Sequence, residues 1–248
     1  MRYAVLSDVH ANLEALSAVL ADSAREGATG VICLGDAVGY GADPNACVEI
    51  LGECVTRMVA GNHEHGALGL IDLDWFNPAA RAAALWTREQ LGPDHAAYLG
   101  ALPLTAALGE ATCVHASPSH PEEWDYLISA EDGWSAFPDF STRLCFVGHS
   151  HRPGVWSLGS SGPDFEDLGG PEGADRRIGF HDGRRYIVNV GSVGQPRDRD
   201  RRAAYVLWDE DARSVTLRRV EYDHRAAAHK ILAASLPRVL ADRLANGV

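Results

Sequence analysis

The sequence predicts an α/β protein. It reads as a mostly parallel sheet with covering helices in the first part of the chain and antiparallel hairpins forming a second sheet in the rest. Three observations carry this reading. Up to residue 92, short apolar runs alternate with longer stretches of helical period. After residue 100 the chain becomes a series of short strand-like pieces separated by turn residues. The apolar runs also tend to end on Asp, Asn or His, where a ligand-binding sheet would place its chemistry.

Taken in order, YAVLS (3–7) is a first strand. NLEALSAVLADSARE (12–26) has the period of an amphipathic helix, with Asn12 able to accept from the free N–H groups of the first turn. GVICLG (30–35) is a second strand. DPNACVEILGEC (43–54) is a helix entered through Asp43 and then Pro44, whose fixed φ suits a first turn. The apolar stretch from Val55 to Ala60 completes a β-α-β-α-β pattern, and the polar GNHEHG (61–66) after it reads as a loop. In NPAARAAALWTREQLG (77–92), Asn77 caps a helix, Pro78 fills its first turn and Gly92 stops it. ATCVHA (111–116) and RLCFVGH (143–149) are further strands. RRIGF, RRYIVNVG, AAYVLWD and SVTLRRVEY follow, with turn signals at Asp182-Gly183 and at Asp209 to Asp211. The stretch from Ser157 to Asp175, rich in Gly, Ser, Pro and acids, is expected to be a mobile surface loop, because hairpins resume directly after it. The tail reads as two short helices interrupted at Pro237. With no internal repeat, residues 1–248 are expected to form a single domain.

Composition narrows the function. Acidic residues outnumber basic ones 34 to 22, a formal charge of -12. That argues against nucleic acid as the main partner, since such binding rests on clustered Lys and Arg. A metal site would absorb several of those acids and reverse the local sign. No apolar run approaches the roughly 20 residues that span a bilayer, and the N-terminus turns polar too early for a secretory segment. The expectation is a cytoplasmic protein with no membrane partner. Its five cysteines are scattered, without a C-x-x-C pair, and suggest neither a disulfide framework nor a zinc knuckle.

The polar residues at the strand ends are more informative. Asp8 and His10 follow the first strand, Asp36 the second, and Asn62 and His63 the third; His115 ends TCVH, and His149 and His151 follow LCFVG. Each motif alone also fits a simple turn or a satisfied core histidine. Together, five strand ends carry two Asp, one Asn and five of the eleven His, more than folding alone requires. Gly35, Gly61 and Gly148 each immediately precede one of these polar residues, where the chain must turn without side-chain obstruction.

The ordered set Asp8-x-His10, Gly35-Asp36, Gly61 to Glu64, His115 and Gly148 to His151 resembles the motif series of the calcineurin-like metallophosphoesterases. The later NVGSVGQPRD is similar to a loop in the small bacterial and archaeal phosphodiesterase-like branch of that superfamily. The resemblance implies a four-layer αββα sandwich with two mixed β-sheets flanked by helices and a two-metal centre at their loop edges. It implies that Asp8, His10, Asp36 and His151 bind one metal and that Asp36, Asn62, His115 and His149 bind the other, with Asp36 as the bridge. Such a pair would clamp a phosphoryl group and activate a bridging hydroxide. Nitrogen and oxygen ligands without thiolate suit two divalent transition-metal ions, Mn first, with Fe, Zn, Co or Ni as alternatives. His63 would stabilise a phosphoryl oxygen or protonate the leaving oxygen, with Glu64 or another carboxylate orienting its ring. His65 has no assigned role and reads as a solvated loop residue.

Beyond the metals, Asn62, His63, Gln195 and Arg197 are candidate substrate contacts. For the last two the alternative is a charged hairpin turn in which Arg197, Arg199, Arg201 and Arg202 pair with Asp198 and Asp200. Trp75, Phe76, Trp124 and Tyr126 could stack a nucleobase or serve as packing anchors. GDAVGYG (35–41) lacks the second Asp and the Arg of the protein Ser/Thr phosphatase motif, which weakens that reading. The expected function is hydrolysis of a small phosphodiester, phosphomonoester or nucleotide; the rival is a noncatalytic scaffold of the same fold.

Overall fold

The computed structural model describes residues 1–170 and 175–248. The first part contains β1 (Arg2–Leu6), α1 (Leu13–Arg25), β2 (Gly30–Cys33), α2 (Pro44–Cys54), β3 (Val55–Met58), α3 (Asn62–Leu68), α4 (Pro78–Gln90) and α5 (Pro93–Gly100). Then come β4 (Thr105–Leu108), β5 (Ala111–Val114), α6 (Ala130–Ala136), β6 (Leu144–Val147), β7 (Gly154–Gly159) and β8 (Gly162–Asp167). The chain closes with β9 (Arg176–Gly179), β10 (Arg185–Asn189), β11 (Ala203–Asp209), β12 (Ser214–Val220), α7 (His224–Ala233) and α8 (Arg238–Asn246). The expected caps are present: Asn12 accepts from Ala15 N–H at 3.1 Å, and Asn77 accepts from the N–H groups of Ala79 and Ala80. Asp43 precedes α2 without capping it and instead accepts from Lys230 at 2.8 Å.

Among the described residues the strands form two six-stranded sheets, ordered β3-β2-β1-β11-β12-β9 and β4-β5-β6-β10-β7-β8. β1, β2 and β3 are mutually parallel, as are β5, β6 and β10; the remaining pairings are antiparallel. Both sheets are therefore mixed. The period of two in a strand explains how they stack. On β1, Tyr3 and Val5 face a core shared with Leu144 and Phe146 of β6, while Ala4 and Leu6 face Leu16, Val19 and Leu51 of the helices. On β6, Cys145 and Val147 turn the other way, towards Ala136 and Phe137. Helix, sheet, sheet, helix is the resulting layer order, and strands covered on both faces read as continuous apolar runs.

Three expectations need correction. The late strands do not make the second sheet alone. β11, β12 and β9 extend the first sheet beside β1, and only β10 joins β6 and β7. The supposed surface loop from Ser157 is largely the β7-β8 hairpin, whose outer strand is mostly exposed and so needs few apolar residues; its segment 171–174 lies outside the described residues. GNHEHG is not a loop either: Gly61 caps α3, which begins at Asn62. No helix of the described residues is long and apolar enough to cross a membrane.

Candidate active site

Each sheet has three mutually parallel strands, and the segments after the C-terminal ends of β1, β2, β3, β5 and β6 carry Asp8, His10, Asp36, Asn62, His115, His149 and His151, which meet at one site. All seven are buried. Five of them, Asp8, His10, Asp36, His149 and His151, have φ between 49° and 63°. Left-handed backbone at non-glycine residues costs energy and persists where surrounding structure enforces it, commonly at functional sites. The close packing explains two of the glycines. A Cβ on Gly61 would run into Asp36 Oδ1, and one on Gly148 would run into Ser7 Oγ and Asp8 Oδ2.

The carboxylates are each fixed by one oxygen. Asp8 Oδ2 accepts from His149 N–H and Asp36 Oδ1 accepts from His63 N–H, both at 2.9 Å. The other oxygens face imidazole nitrogens. Asp8 Oδ1 lies 3.2 Å from His151 Nε2 and 3.7 Å from His10 Nε2; Asp36 Oδ2 lies 3.3 Å from His115 Nε2 and 3.7 Å from His10 Nε2. Asp36 thus stands between two groups, Asp8/His10/His151 and Asp36/His115/His149, each with ligand atoms within 4.8 Å of one another.

The hydrogen bonds determine which nitrogens are free. His10 Nδ1 meets Val38 O at 3.0 Å, His115 Nδ1 meets Leu34 O at 2.8 Å and His151 Nδ1 meets Gln195 O at 2.5 Å. A carbonyl only accepts, so each Nδ1 carries the proton and each neutral ring presents its Nε2 lone pair inwards. The lone pairs of His10 and His151 then face each other at 3.1 Å, and both face Asp8 Oδ1, which has no hydrogen-bond partner. Asn62 Oδ1 is also buried without a partner. Acceptors opposed to acceptors in a buried space require positive charge between them, and this donor set fits divalent transition metals.

Titration follows the same logic. Burial opposes charge on Asp8 and Asp36, yet His151 beside the first and His115 beside the second hold both carboxyls below the usual range. Burial works to lower the His115 pKa, but Asp36 wins and raises it to about 9. Burial, with His115 nearby, drops His149 to about 3, and burial drops His63 to about 4.

His63 packs between Tyr40, His10 and Phe76, with ring centroids 4.4, 4.8 and 5.0 Å away, and its Nδ1 has no partner. Glu64 does not orient that ring. Its carboxylate accepts from the N–H groups of Asp36 and Gly61 at 2.7 Å and of Val38 at 3.2 Å, so it ties the segment after β2 to the start of α3. Burial and the nearby Asp36 push its pKa up to about 7. Gln195 is equally indirect. It is buried, lies outside the cleft wall, and accepts from Arg197 Nη2 at 3.0 Å. His65 is half-buried in α3 with its ring 5.2 Å from Trp124, not a solvated loop residue. The charged-turn alternative holds for Arg202 with Asp200, whereas Asp198 pairs with Arg219 and Arg201 with Glu221.

A cleft of about 720 Å³ opens over the cluster, lined by Asp36, Asn62, His63, His149, His151 and Arg197, and further out by Trp75, Phe76, Trp124 and Tyr126. Arg197 donates to Tyr40 Oη at 3.3 Å and lies 5.7 Å from that ring's centre. Sequence inspection passed over Tyr40. It sits inside GDAVGYG, the motif without an arginine, and it holds an arginine from a segment 157 residues away.

Comparison with known proteins follows this geometry. The family model described as "Calcineurin-like phosphoesterase superfamily domain" matches residues 1–213. The chain belongs to the calcineurin-like phosphoesterase superfamily. An uncharacterized protein of Methanocaldococcus jannaschii is 40% identical over 254 residues, covering 98% of this chain and 97% of that protein. The crystal structure of a metallophosphoesterase from Sphaerobacter thermophilus is 42% identical with a TM-score of 0.85, covering 100% of this chain and 99% of that one. A hypothetical protein from Pyrococcus horikoshii shares the fold at 21% identity and TM-score 0.78, over 100% and 98% of the two chains. For this superfamily member, the Asp/His groups form a cluster that could bind metal.

Proposed function

We propose that the chain, acting as one domain, is a dinuclear-metal-dependent hydrolase of small phosphate esters. The observation that carries this is the convergence of Asp8, His10, His151, Asp36, His115 and His149 as opposed acceptors at the floor of the cleft. Asp8, His10, His151 and Asp36 would hold one ion; Asp36, Asn62, His115 and His149 would hold the other. When bound, such ions supply Lewis-acid charge to phosphoryl oxygens and acidify water.

The chain's own residues do the rest. Arg197, fixed by Gln195 and Tyr40, presents a guanidinium to a phosphoryl oxygen. His63, neutral at physiological pH because burial holds it at about 4, offers an N–H to the substrate oxygens. Water adds its oxygen to phosphorus, the ester P–O bond breaks, and the departing alcohol takes up a proton. Glu64 keeps the segments carrying Asp36 and His63 in register. The -12 charge and the single Lys or Arg among the described residues of the cleft wall, Arg197, favour a compact ester over nucleic acid or a phosphoprotein.

Metal-stripped protein should be inactive on bis-p-nitrophenyl phosphate and p-nitrophenyl phosphate and should regain turnover with Mn or another of the named metals. Inactivity with two ions bound per chain, established by metal analysis, would instead indicate the scaffold.

A further inference from the structure

The cleft is electrically two-ended. Its floor holds the Asp/His cluster and Arg197; the latter is tied to Tyr40, whose ring packs 4.5 Å from His10 and 4.4 Å from His63. Its outer wall carries Asp72, Glu122, Glu123 and Asp125 with no cation among the residues lining it there. None of these four has an ion-pair partner among the described residues, although other surface acids of the chain do.

The acids do not stand alone. They share two short turns with aromatic rings that face the same space. Asp72 precedes the 3-10 turn Leu73–Trp75, whose Trp75 is 91% exposed. Glu122 and Glu123 lie in the turn Pro121–Glu123, directly before Trp124, Asp125 and Tyr126. That second turn is bracketed by left-handed His120 and Trp124, at φ 47° and 59°, an uncommon conformation for a bulky residue. It sets Tyr126 in a stack on His149 at 4.1 Å and Trp124 edge-on to His115 at 6.0 Å. Trp124 Nε1 is buried there without a partner, a donor suited to a substrate oxygen and not to the cation. Aromatic faces beside unpaired carboxylates attract a weakly hydrated organic cation through the ring quadrupole and the net negative field. A nucleotide would also find rings to stack on, but its additional phosphates would face four carboxylates.

Resting on the phosphoesterase reading above, we propose that the preferred substrate is a phosphate ester whose alcohol part bears a positively charged ammonium group. Its phosphoryl end would lie against Arg197 and the cluster, and its ammonium end among Trp75, Trp124, Tyr126 and the four carboxylates. Water adds across one P–O bond: a monoester gives inorganic phosphate and the amino alcohol, and a diester gives a phosphomonoester and the alcohol that departs.

The test compares phosphocholine with 3,3-dimethylbutyl phosphate, its neutral isostere in which carbon replaces nitrogen, each as the monoester and as the p-nitrophenyl diester, with Mn-loaded protein. The cationic member should have a kcat/KM at least tenfold higher, mainly through KM. E123Q combined with D125N should shrink that ratio towards one. Equal values, or preference for the neutral isostere, overturn the proposal. A second measurement needs no turnover: tetramethylammonium titrated into metal-free protein should give a saturable tryptophan-fluorescence change that neopentyl alcohol at equal concentration does not give and W124L loses. An unresponsive or indiscriminate signal also overturns it. Hydrolysis of p-nitrophenyl esters without charge preference would remove this inference and leave the phosphoesterase reading standing. Selective tetramethylammonium binding without hydrolysis of any ester would do the reverse.

Discussion

Two ionic clusters in this molecule, one around Asp22 and one around Asp8 and Asp36, are built on different rules. Around Asp22 on α1, each acceptor meets a donor: Tyr205 Oη gives a hydrogen bond at 2.8 Å, Arg218 Nη2 and Nε at 3.1 and 3.2 Å, and Arg25 Nη2 at 3.0 Å. Around Asp8 and Asp36, carboxylate oxygens and imidazole lone pairs face one another, and Asp8 Oδ1 has no partner at all. A cluster closed on itself joins α1 to β11 and β12. A cluster whose acceptors face one another is one that an outside cation could close. Burial alone therefore does not distinguish structural from functional charge; the balance of donors and acceptors does.

The sharpest break in this comparison is Asp36→Asn. Because Asp36 stands between both groups, its loss should release both metals and lower turnover about a thousandfold, the equivalent of about 4 kcal/mol of barrier. Adding metal at roughly 100 times its Kd stabilises the wild type by about 2.7 kcal/mol, hence by roughly 5–10 °C in Tm. The variant should show no such rise. Metal analysis and thermal melts read both effects, and a variant that keeps both ions would remove Asp36 from the bridging position.

His63→Ala sharpens the division inside the functional cluster. His63 contributes to the group His10/Asp36/His63, yet it is held by packing against Tyr40 and Phe76 and presents its ring to the cleft. Both metals should stay bound while turnover falls about a hundredfold, more for alkyl than for nitrophenyl esters. Loss of metal with the leaving-group dependence unchanged would reassign His63 as a ligand.

How far the sequence revealed this division depended on range. Asp8, His10, Asp36, His115, His149 and His151 could be found because each follows its own apolar run within a few residues, a local pattern that parallel strands convert into convergence. The partners that complete the site are not local. Tyr40 and Arg197 meet across 157 residues, and Glu64 looks like support for its neighbour His63 until its three backbone N–H partners are in place. Strand assignment failed for the same reason. β11 carries buried residues on both faces, Val206 towards one core and Tyr205 towards another, so nothing in its own composition says that it pairs with β1. β8, edge-placed and mostly exposed, has the composition of a loop.

The smallest effect tests the closed cluster. Asp22 is buried, and although burial raises its pKa, Tyr205, Arg25 and Arg218 together bring it below the usual carboxylate range. A carboxyl with a depressed folded pKa adds stability that is fully present above its unfolded pKa of about 3.9 and is lost as pH falls through the folded value. Asp22→Asn should therefore cost about 1–3 kcal/mol in urea unfolding at neutral pH, since Arg218 keeps Glu26 and Asp175 as partners, and should leave metal binding intact. As the pH falls through the folded value the wild type should lose this advantage and the two proteins should converge. A stability difference that stays constant from neutral to acid pH would mean that Asp22 acts through the shape of its packing rather than its charge, and the contrast between the two clusters would then rest on the metal site alone.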